Sequence, residues 1–181
     1  MSDDLTTLAG TEATVWRLLE ESAGNPATPT RIVGFATQSA EGGGAVRMVV
    51  LRKADRLTRS LTFYTHRSSQ KVADIQSEPS AEILFWDAGK QFQIRLRGKV
   101  MLSDGPSEIW DTFRDGTRRN YAAEPAAGDK IDHPEDIAGT PDPATFVVLT
   151  LVASTVETLW LGGAVHHRAR FSDGASCWLA P

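Results

Sequence analysis

Seven lysines and arginines stand against a single aspartate between Arg47 and Lys71, in RMVVLRKADRLTRSLTFYTHRSSQK. The alternation of apolar and polar types reads as strand, turn, strand and the start of a helix at Ser-Ser-Gln-Lys. Residues of this kind suit an organic phosphate. A helix start offers unpaired backbone N–H groups and the positive end of the helix dipole, with the Ser69 hydroxyl and the Lys71 ammonium beside them. Arg47, Arg52 and Lys71 are the candidate counter-charges, the arginines through a planar fork and the lysine as a point charge. A solvated basic sheet face has the same composition, and this segment alone leaves the two readings level.

The elements that must position these groups are mostly strands. Gln91 to Val100 (QFQIRLRGKV) has the clearest two-residue period, with Phe92, Ile94 and Leu96 on one face and Gln91, Gln93, Arg95 and Arg97 on the other. One face goes to a core; the other goes to water, a cleft or a partner subunit. Further strands are expected over 31–38, 46–53, 61–65, 82–87, 146–161, 165–171 and 177–179. Helices are expected over 11–23 with Thr11 as N-cap, over 69–76, and after Asp104 as cap and Pro106 as first residue, carrying Ile109, Trp110 and Phe113. Gly162-Gly163 reads as a hairpin turn. Hairpin-connected strands with few short helices indicate a mainly β fold, an antiparallel barrel or sandwich.

Charge narrows the function further. The segment Tyr121–Thr145 carries six acidic residues and one lysine, so of the net −4 the rest of the chain holds about +1. That balance permits a local anion site but not the broad basic surface that general nucleic-acid binding requires. Such a long Pro/Gly/Ala-rich connection reads as a lid, a partner-wrapping segment or a mobile loop. No apolar run approaches a membrane span, and the N-terminus has no basic or apolar leader region. A cytoplasmic protein of one domain is expected, with a helical arm over 1–30 and the acidic loop over 121–145. The single cysteine, Cys177, reads as a buried, inert thiol beside a terminal strand. No metal site is expected: His166 and His167 are adjacent, pointing to opposite sides of a strand, and His133 lies in the loop. Dinucleotide, Walker, GxSxG and HExxH motifs are absent.

RMVVLR at Arg47–Arg52, FYTHRSSQK at Phe63–Lys71, QIRLRG at Gln93–Gly98 and LWLGG…HHRARF…WLAP at the C-terminus occur in that order. Together they resemble the pyridoxamine 5′-phosphate oxidase-like family of FMN-binding split barrels, over about residues 34–181. The resemblance implies an antiparallel split barrel and a homodimer with FMN in two clefts between subunits. On its pattern Arg47, Met48, Val49, Val50, Leu51 and Arg52 form the first flavin strand, and Tyr64 and Thr65 close the next. Lys71 matches the phosphate-binding lysine, with Ser69 beside it; Gln70 stands where an arginine is common. Gln93 matches the glutamine that reaches the flavin, and Trp160 and Arg170 match the pair given by the other subunit. Arg170 near the ring would favour the negatively charged reduced flavin. Simple core packing remains the other reading of Trp160, and exposure to water that of Gln93.

The substrate half departs from the pattern. Positions where vitamer oxidases carry a lysine, a helical tyrosine, arginine and serine, and a late Arg-x-His align here with Arg52, Thr112, Gly116, Asn120, His166 and Arg168. Gly116 removes a phosphate clamp, although Arg114, Arg118 or Arg119 stands close enough in register to substitute. The expectation is an FMN-dependent oxidoreductase acting on an unassigned small molecule, with His166, His167, Tyr121 and Arg168 as candidates for lining the substrate side. The alternatives are a non-enzymatic FMN or haem carrier or redox sensor, and a true pyridoxamine 5′-phosphate oxidase.

Overall fold

The computed structural model describes residues 4–122, 124–125, 127–136, 139–172 and 174–181. Among these, eight antiparallel strands carry the fold: β1 (Ile32–Gln38), β2 (Gly44–Asp55), β3 (Ser60–His66), β4 (Ser80–Asp87), β5 (Phe92–Asp104), β6 (Phe146–Trp160), β7 (His167–Ser172) and β8 (Ala175–Leu179). They run in the order β3-β2-β1-β4-β5-β6-β7-β8, and β3 also pairs with β6, from Ser60↔Val152 to His66↔Phe146. That pairing closes the first six strands into a barrel. β6 is long enough to serve both parts: its first half bonds to β3, and its second half, from Thr155, bonds to β7. The β7–β8 hairpin therefore stands off the barrel as a wing.

Strand alternation fills the interior. Phe35, Leu51, Leu61, Phe63, Ile83, Phe85, Phe92, Ile94, Leu96, Leu149 and Leu151 are completely buried. Helix α1 (Leu8–Gly24) adds Val15, Trp16, Leu18 and Leu19 to the same core, so the N-terminal arm is packed against the barrel. Its cap is Thr7, one turn before the Thr11 expected, because the Thr7 hydroxyl accepts the Gly10 N–H at 3.1 Å while Thr11 is already buried. Helix α2 (Gln70–Ser77) follows β3. The helix expected after Asp104 is two short pieces, α3 (Ser107–Asp111) and α4 (Asp115–Arg118). Asp104 does not cap α3; it pairs with Arg67.

These two pieces, β3 and the start of β6 enclose a second, aromatic core. Phe146 meets Tyr64, Phe113 and Tyr121 edge to face at 5.1–5.3 Å, and Trp110 at 6.3 Å. The acidic connection is anchored at its base, where the Asp142 N–H and the Thr145 hydroxyl both donate to the Tyr121 carbonyl. Cys177 is exposed, contrary to the buried thiol expected, because its side chain lies on the outer face of the wing opposite Arg170. Among the described residues no helix is long and apolar enough to cross a membrane.

Barrel closure depends on Gly98. The register of β5 against β6 shifts between Arg97 and Gly98, and a β-carbon there would overlap the Val152 carbonyl. Backbone cannot yield as a side-chain tip does, so Gly98→Ala should destabilise the fold by about 1–3 kcal/mol. In thermal unfolding this is a loss of roughly 2–10 °C. An unchanged midpoint would show that the bulge absorbs the methyl group.

Candidate functional site

The site grows from the contact of α2 with the end of the β1–β2 hairpin. Asp74, on the inward face of α2, is completely buried. It accepts the Thr37 hydroxyl at 2.7 Å, Arg47 Nη2 at 3.0 Å, Gln70 Nε2 at 3.2 Å and the Ala40 N–H at 3.3 Å. Arg47 also donates through Nη1 to Thr37 Oγ1 at 2.6 Å and to the Ala45 carbonyl. Burial by itself would raise the Asp74 pKa, but these hydrogen bonds outweigh it and hold the carboxyl below its ordinary value. Arg47 is thus turned inward, opposite Phe35, with its charge matched. Asp74 escaped the sequence reading; its one signal is an acidic residue four positions after Gln70 on the inward face of a short helix.

Lys71 is placed differently. It is half-buried at the start of α2, and its Nζ donates to Thr65 Oγ1 at 3.0 Å. Thr65 Oγ1 in turn lies 3.1 Å from Ser69 Oγ. Ser69 is the N-cap residue of α2 but makes no side-chain cap bond, so its hydroxyl is committed to this cluster. Among the described residues no carboxylate lies within ion-pair distance of Lys71. Burial, and then the nearby Arg47 charge, push its pKa below the ordinary lysine value, with Asp74 opposing. A half-buried ammonium held beside two hydroxyls and the free end of a helix has the chemistry to hold a compact anion.

The outer surface forms the second part. The register places Met48, Val50 and Arg52 of β2, Ile32 of β1, Leu84 and Trp86 of β4, Gln93 and Arg95 of β5, Glu157 of β6, and Arg168 and Arg170 of β7 on one continuous face. Val49 and Leu51 point into the barrel with Arg47. Much of this face is apolar and exposed, including Val46 at 74%, Met48 at 64% and Trp86 at 45%. Beside the apolar patch runs a ladder of ion pairs. Glu157 receives Arg170 at 2.8 Å, Arg168 at 3.0 Å and Arg95 at 3.4 Å, while Arg95 and Arg97 also reach Glu82. Burial opposes ionisation of Glu157, but its arginine partners keep its pKa low.

Not every candidate joins this face. Trp160 lies on the opposite side of β6, with Phe92 as cross-strand neighbour and the His167 ring at 5.2 Å, so its side chain and that of Arg170 diverge within one chain. His167 Nδ1 is 2.8 Å from the Leu5 carbonyl, and His166 is exposed in the turn before β7. Arg52 sits on the outer row with its guanidinium 5.2 Å above the Tyr64 ring. Thr112, Gly116 and Asn120 are exposed, as are Arg114 and Arg119. Arg118 turns back over the Trp110 ring and donates to the carbonyls of Trp110 and Asp111.

Comparison with known proteins follows the same division. The family model described as pyridoxamine 5′-phosphate oxidase, FMN-binding domain, matches residues 13–104, which hold β1 to β5 and α2. The chain is 29% identical over 184 residues to the pyridoxine/pyridoxamine 5′-phosphate oxidase of Xylella fastidiosa, covering 89% of this chain and 86% of the relative. Against the protein of that name from Xanthomonas campestris pv. campestris it is 28% identical over 198 residues, covering 98% and 96%. Among solved structures, a pyridoxamine 5′-phosphate oxidase-related, FMN-binding protein from Nostoc punctiforme superposes with a TM-score of 0.76 at 25% identity, over 98% of this chain and 100% of that one. PhzG from Burkholderia lata, solved with tetrahydrophenazine-1-carboxylic acid, gives 0.75 at 20% identity, over 99% and 95%, a likeness of fold.

The Asp74 cluster has a measurable weight. Asp74→Ala leaves Arg47 and Thr37 without their acceptor and should cost about 2–4 kcal/mol in urea unfolding at neutral pH. Because the folded-state pKa of Asp74 is lowered, its contribution is present above the ordinary carboxylate range and is lost as pH falls through the folded value. The wild type and the variant should therefore converge in stability under acid. A constant gap between them down to strongly acidic pH would contradict this role.

Proposed function

The chain belongs to the pyridoxamine 5′-phosphate oxidase family of FMN-binding domains, and we propose that it is an FMN-dependent oxidoreductase whose substrate is a small molecule other than the pyridoxine and pyridoxamine phosphates. The observation that carries the cofactor half is Lys71. A lysine half-buried without a carboxylate and with a depressed pKa fits the phosphate of FMN, which brings nearly two negative charges. Lys71, Ser69, Thr65, Gln70 and the first N–H groups of α2 would hold that phosphate. Arg47, locked by Asp74, sets the position of α2. Met48, Val50 and Gln93 offer the ring an apolar strip with one amide. FMN, when bound, supplies reversible redox chemistry at its ring, while the protein orients and shields it.

The outer face supports a homodimer. Val46, Met48, Leu84, Trp86 and Ile32 form a contiguous exposed apolar surface rather than scattered single residues. A patch of this kind marks an interface, and a second copy would cover it and bring Arg168 and Arg170, held by Glu157, to the partner's strip. Light scattering should give twice the 19.7 kDa chain mass. A flavin-loaded monomer would exclude a site shared between subunits.

The case against vitamer oxidation rests on α3 and α4. Gly116 has no side chain to clamp a phosphate, Arg114 and Arg119 are exposed, and Arg118 is engaged with backbone carbonyls. Charge-assisted hydrogen bonds contribute ~1.5–3 kcal/mol each, so two missing clamps weaken a phosphate substrate by about two orders of magnitude or more.

The purified protein should carry the visible absorbance of one flavin per chain. Lys71→Ala should weaken FMN far more than riboflavin, since only the phosphate contact is lost. Affinity for FMN should also fall as pH rises through the lowered pKa of Lys71, earlier than for an ordinary lysine, because the neutral amine attracts no dianion. Equal losses for FMN and riboflavin would remove the phosphate assignment. Peroxide release with either phosphorylated vitamer should be weak, and anaerobic bleaching by NADH, NADPH or a small organic donor detectable. Rapid vitamer oxidation would overturn the substrate half alone.

A further inference from the structure

The turn that delivers Ser69 and Lys71 to their cluster is itself held by the acidic connection. Residues 66–69 form one turn between β3 and α2, closed by the Ser69 N–H, which donates to the His66 carbonyl at 3.1 Å. Within it, Arg67 donates its N–H to the Thr145 carbonyl and its Nε to the Ala144 carbonyl, each at 2.8 Å. These contacts grip the end of the connection. Its start is gripped by the neighbours of Arg67: His66 Nε2 lies 2.8 Å from the Ala122 carbonyl, and the Ala127 N–H donates to Ser68 Oγ at 3.1 Å. The circuit closes inside the turn, where Ser68 Oγ is 2.8 Å from His66 Nδ1 and the Ser68 N–H donates to the same nitrogen at 3.1 Å.

The polarity of these partners fixes the state of the ring. A carbonyl only accepts, so Nε2 carries the hydrogen; a backbone N–H only donates, so Nδ1 is bare. In this arrangement His66 is neutral and a single tautomer. A second proton would make Nδ1 a donor aimed at the Ser68 N–H. The Ser68 hydroxyl can turn round to accept it, but the amide cannot, and the turn must open. Tyr121 covers one face of the ring, stacked at 6.5 Å between centroids. The charged groups that face His66 are Arg119 and Asp129, which line the same cleft of about 340 Å³, and Arg67, which is paired with Asp104.

We propose that His66 is a positioning residue for the cofactor phosphate: in its neutral form it clasps the acidic connection to the turn that carries Ser69 and Lys71, and a proton on Nδ1 opens the clasp and weakens the hold on FMN. The effect on FMN rests on the reading of Lys71 as the phosphate-binding lysine; the clasp itself does not. Coupling of this kind runs both ways, so phosphate in the cluster steadies the connection and an undocked connection loosens the phosphate. A ring that acted on the phosphate by charge alone would do the reverse, holding FMN more tightly once protonated.

The test uses the full chain at constant ionic strength, with FMN and riboflavin affinities measured by flavin fluorescence from about pH 8 to about pH 5, the span in which histidine ordinarily changes charge. His66→Asn is the reference, since its Oδ1 can accept the Ser68 N–H as in an Asx turn but takes up no proton. The phosphate of FMN also gains a proton near pH ~6, a loss common to both proteins, so their difference isolates the ring. Over this span the wild type should lose at least about threefold more FMN affinity than His66→Asn, with no such difference for riboflavin. His66→Ala, which removes both ends of the clasp, should weaken FMN about tenfold or more at the alkaline end and riboflavin much less. FMN should also slow amide hydrogen exchange across 122–131 in the wild type but not in His66→Ala. Parallel FMN profiles for wild type and His66→Asn, tighter FMN in the wild type at the acid end, or equal losses of FMN and riboflavin in His66→Ala would overturn the proposal. A protein that binds FMN no better than riboflavin, or binds neither, refutes the phosphate reading instead. Exchange across 122–131, corrected for the intrinsic effect of pH, then decides the clasp: it should accelerate on acidification in the wild type only, and equal behaviour in His66→Asn would dismiss it.

Discussion

A carboxylate sealed inside the protein is costly unless it is fully hydrogen-bonded. Asp74 meets that condition through four donors from four places: a strand hydroxyl, a strand guanidinium, a turn amide and the amide of its own helix. Satisfying all four fixes α2 against the β1–β2 hairpin in one position. That position decides where Lys71 stands, which neighbours it has and how much of it is dry. The surroundings of Lys71 are therefore set by a structural ion pair in which Lys71 takes no part. Glu157 repeats the device on the far side of the sheet, gathering Arg95, Arg168 and Arg170 and fixing the direction each presents outward.

The buried Asp74 and the partly buried Glu157 also divide the cations of the chain by role. Arginines that hold or are held by Asp74 and Glu157 have their charge matched and act through position. Lys71, Arg31 and Arg52 lack such partners and carry uncompensated charge into sheltered places. In a chain of net charge −4, with acidic residues concentrated in one connection, leaving these three unneutralised is a local feature that overall charge conceals.

The sequence made much of this legible. Strand periodicity gave all eight strands to within a few residues, because each alternates between a filled barrel and an outer face. The motif resemblance supplied the closure of the barrel, which periodicity could not, since the β3–β6 pairing joins segments far apart in the chain. Less legible were matters of orientation. Arg47 looked like a free counter-charge because Asp74 has no sequence signature as its partner. The match of Trp160 and Arg170 as a pair does not show that Trp160, three residues from Glu157 along β6, faces the opposite side, while Arg170 on β7 pairs directly across from Glu157. Arg31 read as the first residue of a strand, and only the 3₁₀ turn at Pro29 swings it toward Arg52. Helix starts were misread at Thr11 and Asp104 because several residues near each start could cap, and tertiary contacts chose among them.

The dual use of β6 has a consequence for how the chain comes to exist. Barrel closure joins Ser60 to Val152, about ninety residues apart, across three short helices, two strands and a long acidic connection. Contacts this distant carry a heavy loop-closure cost and slow the search for the native state. During synthesis β1 to β5 leave the ribosome with β3 and β5 as bare edges, and both wait for a strand translated only near the end. Unpaired edges recruit other chains. The concentration of negative charge in 121–145 is translated in that interval, immediately before β6.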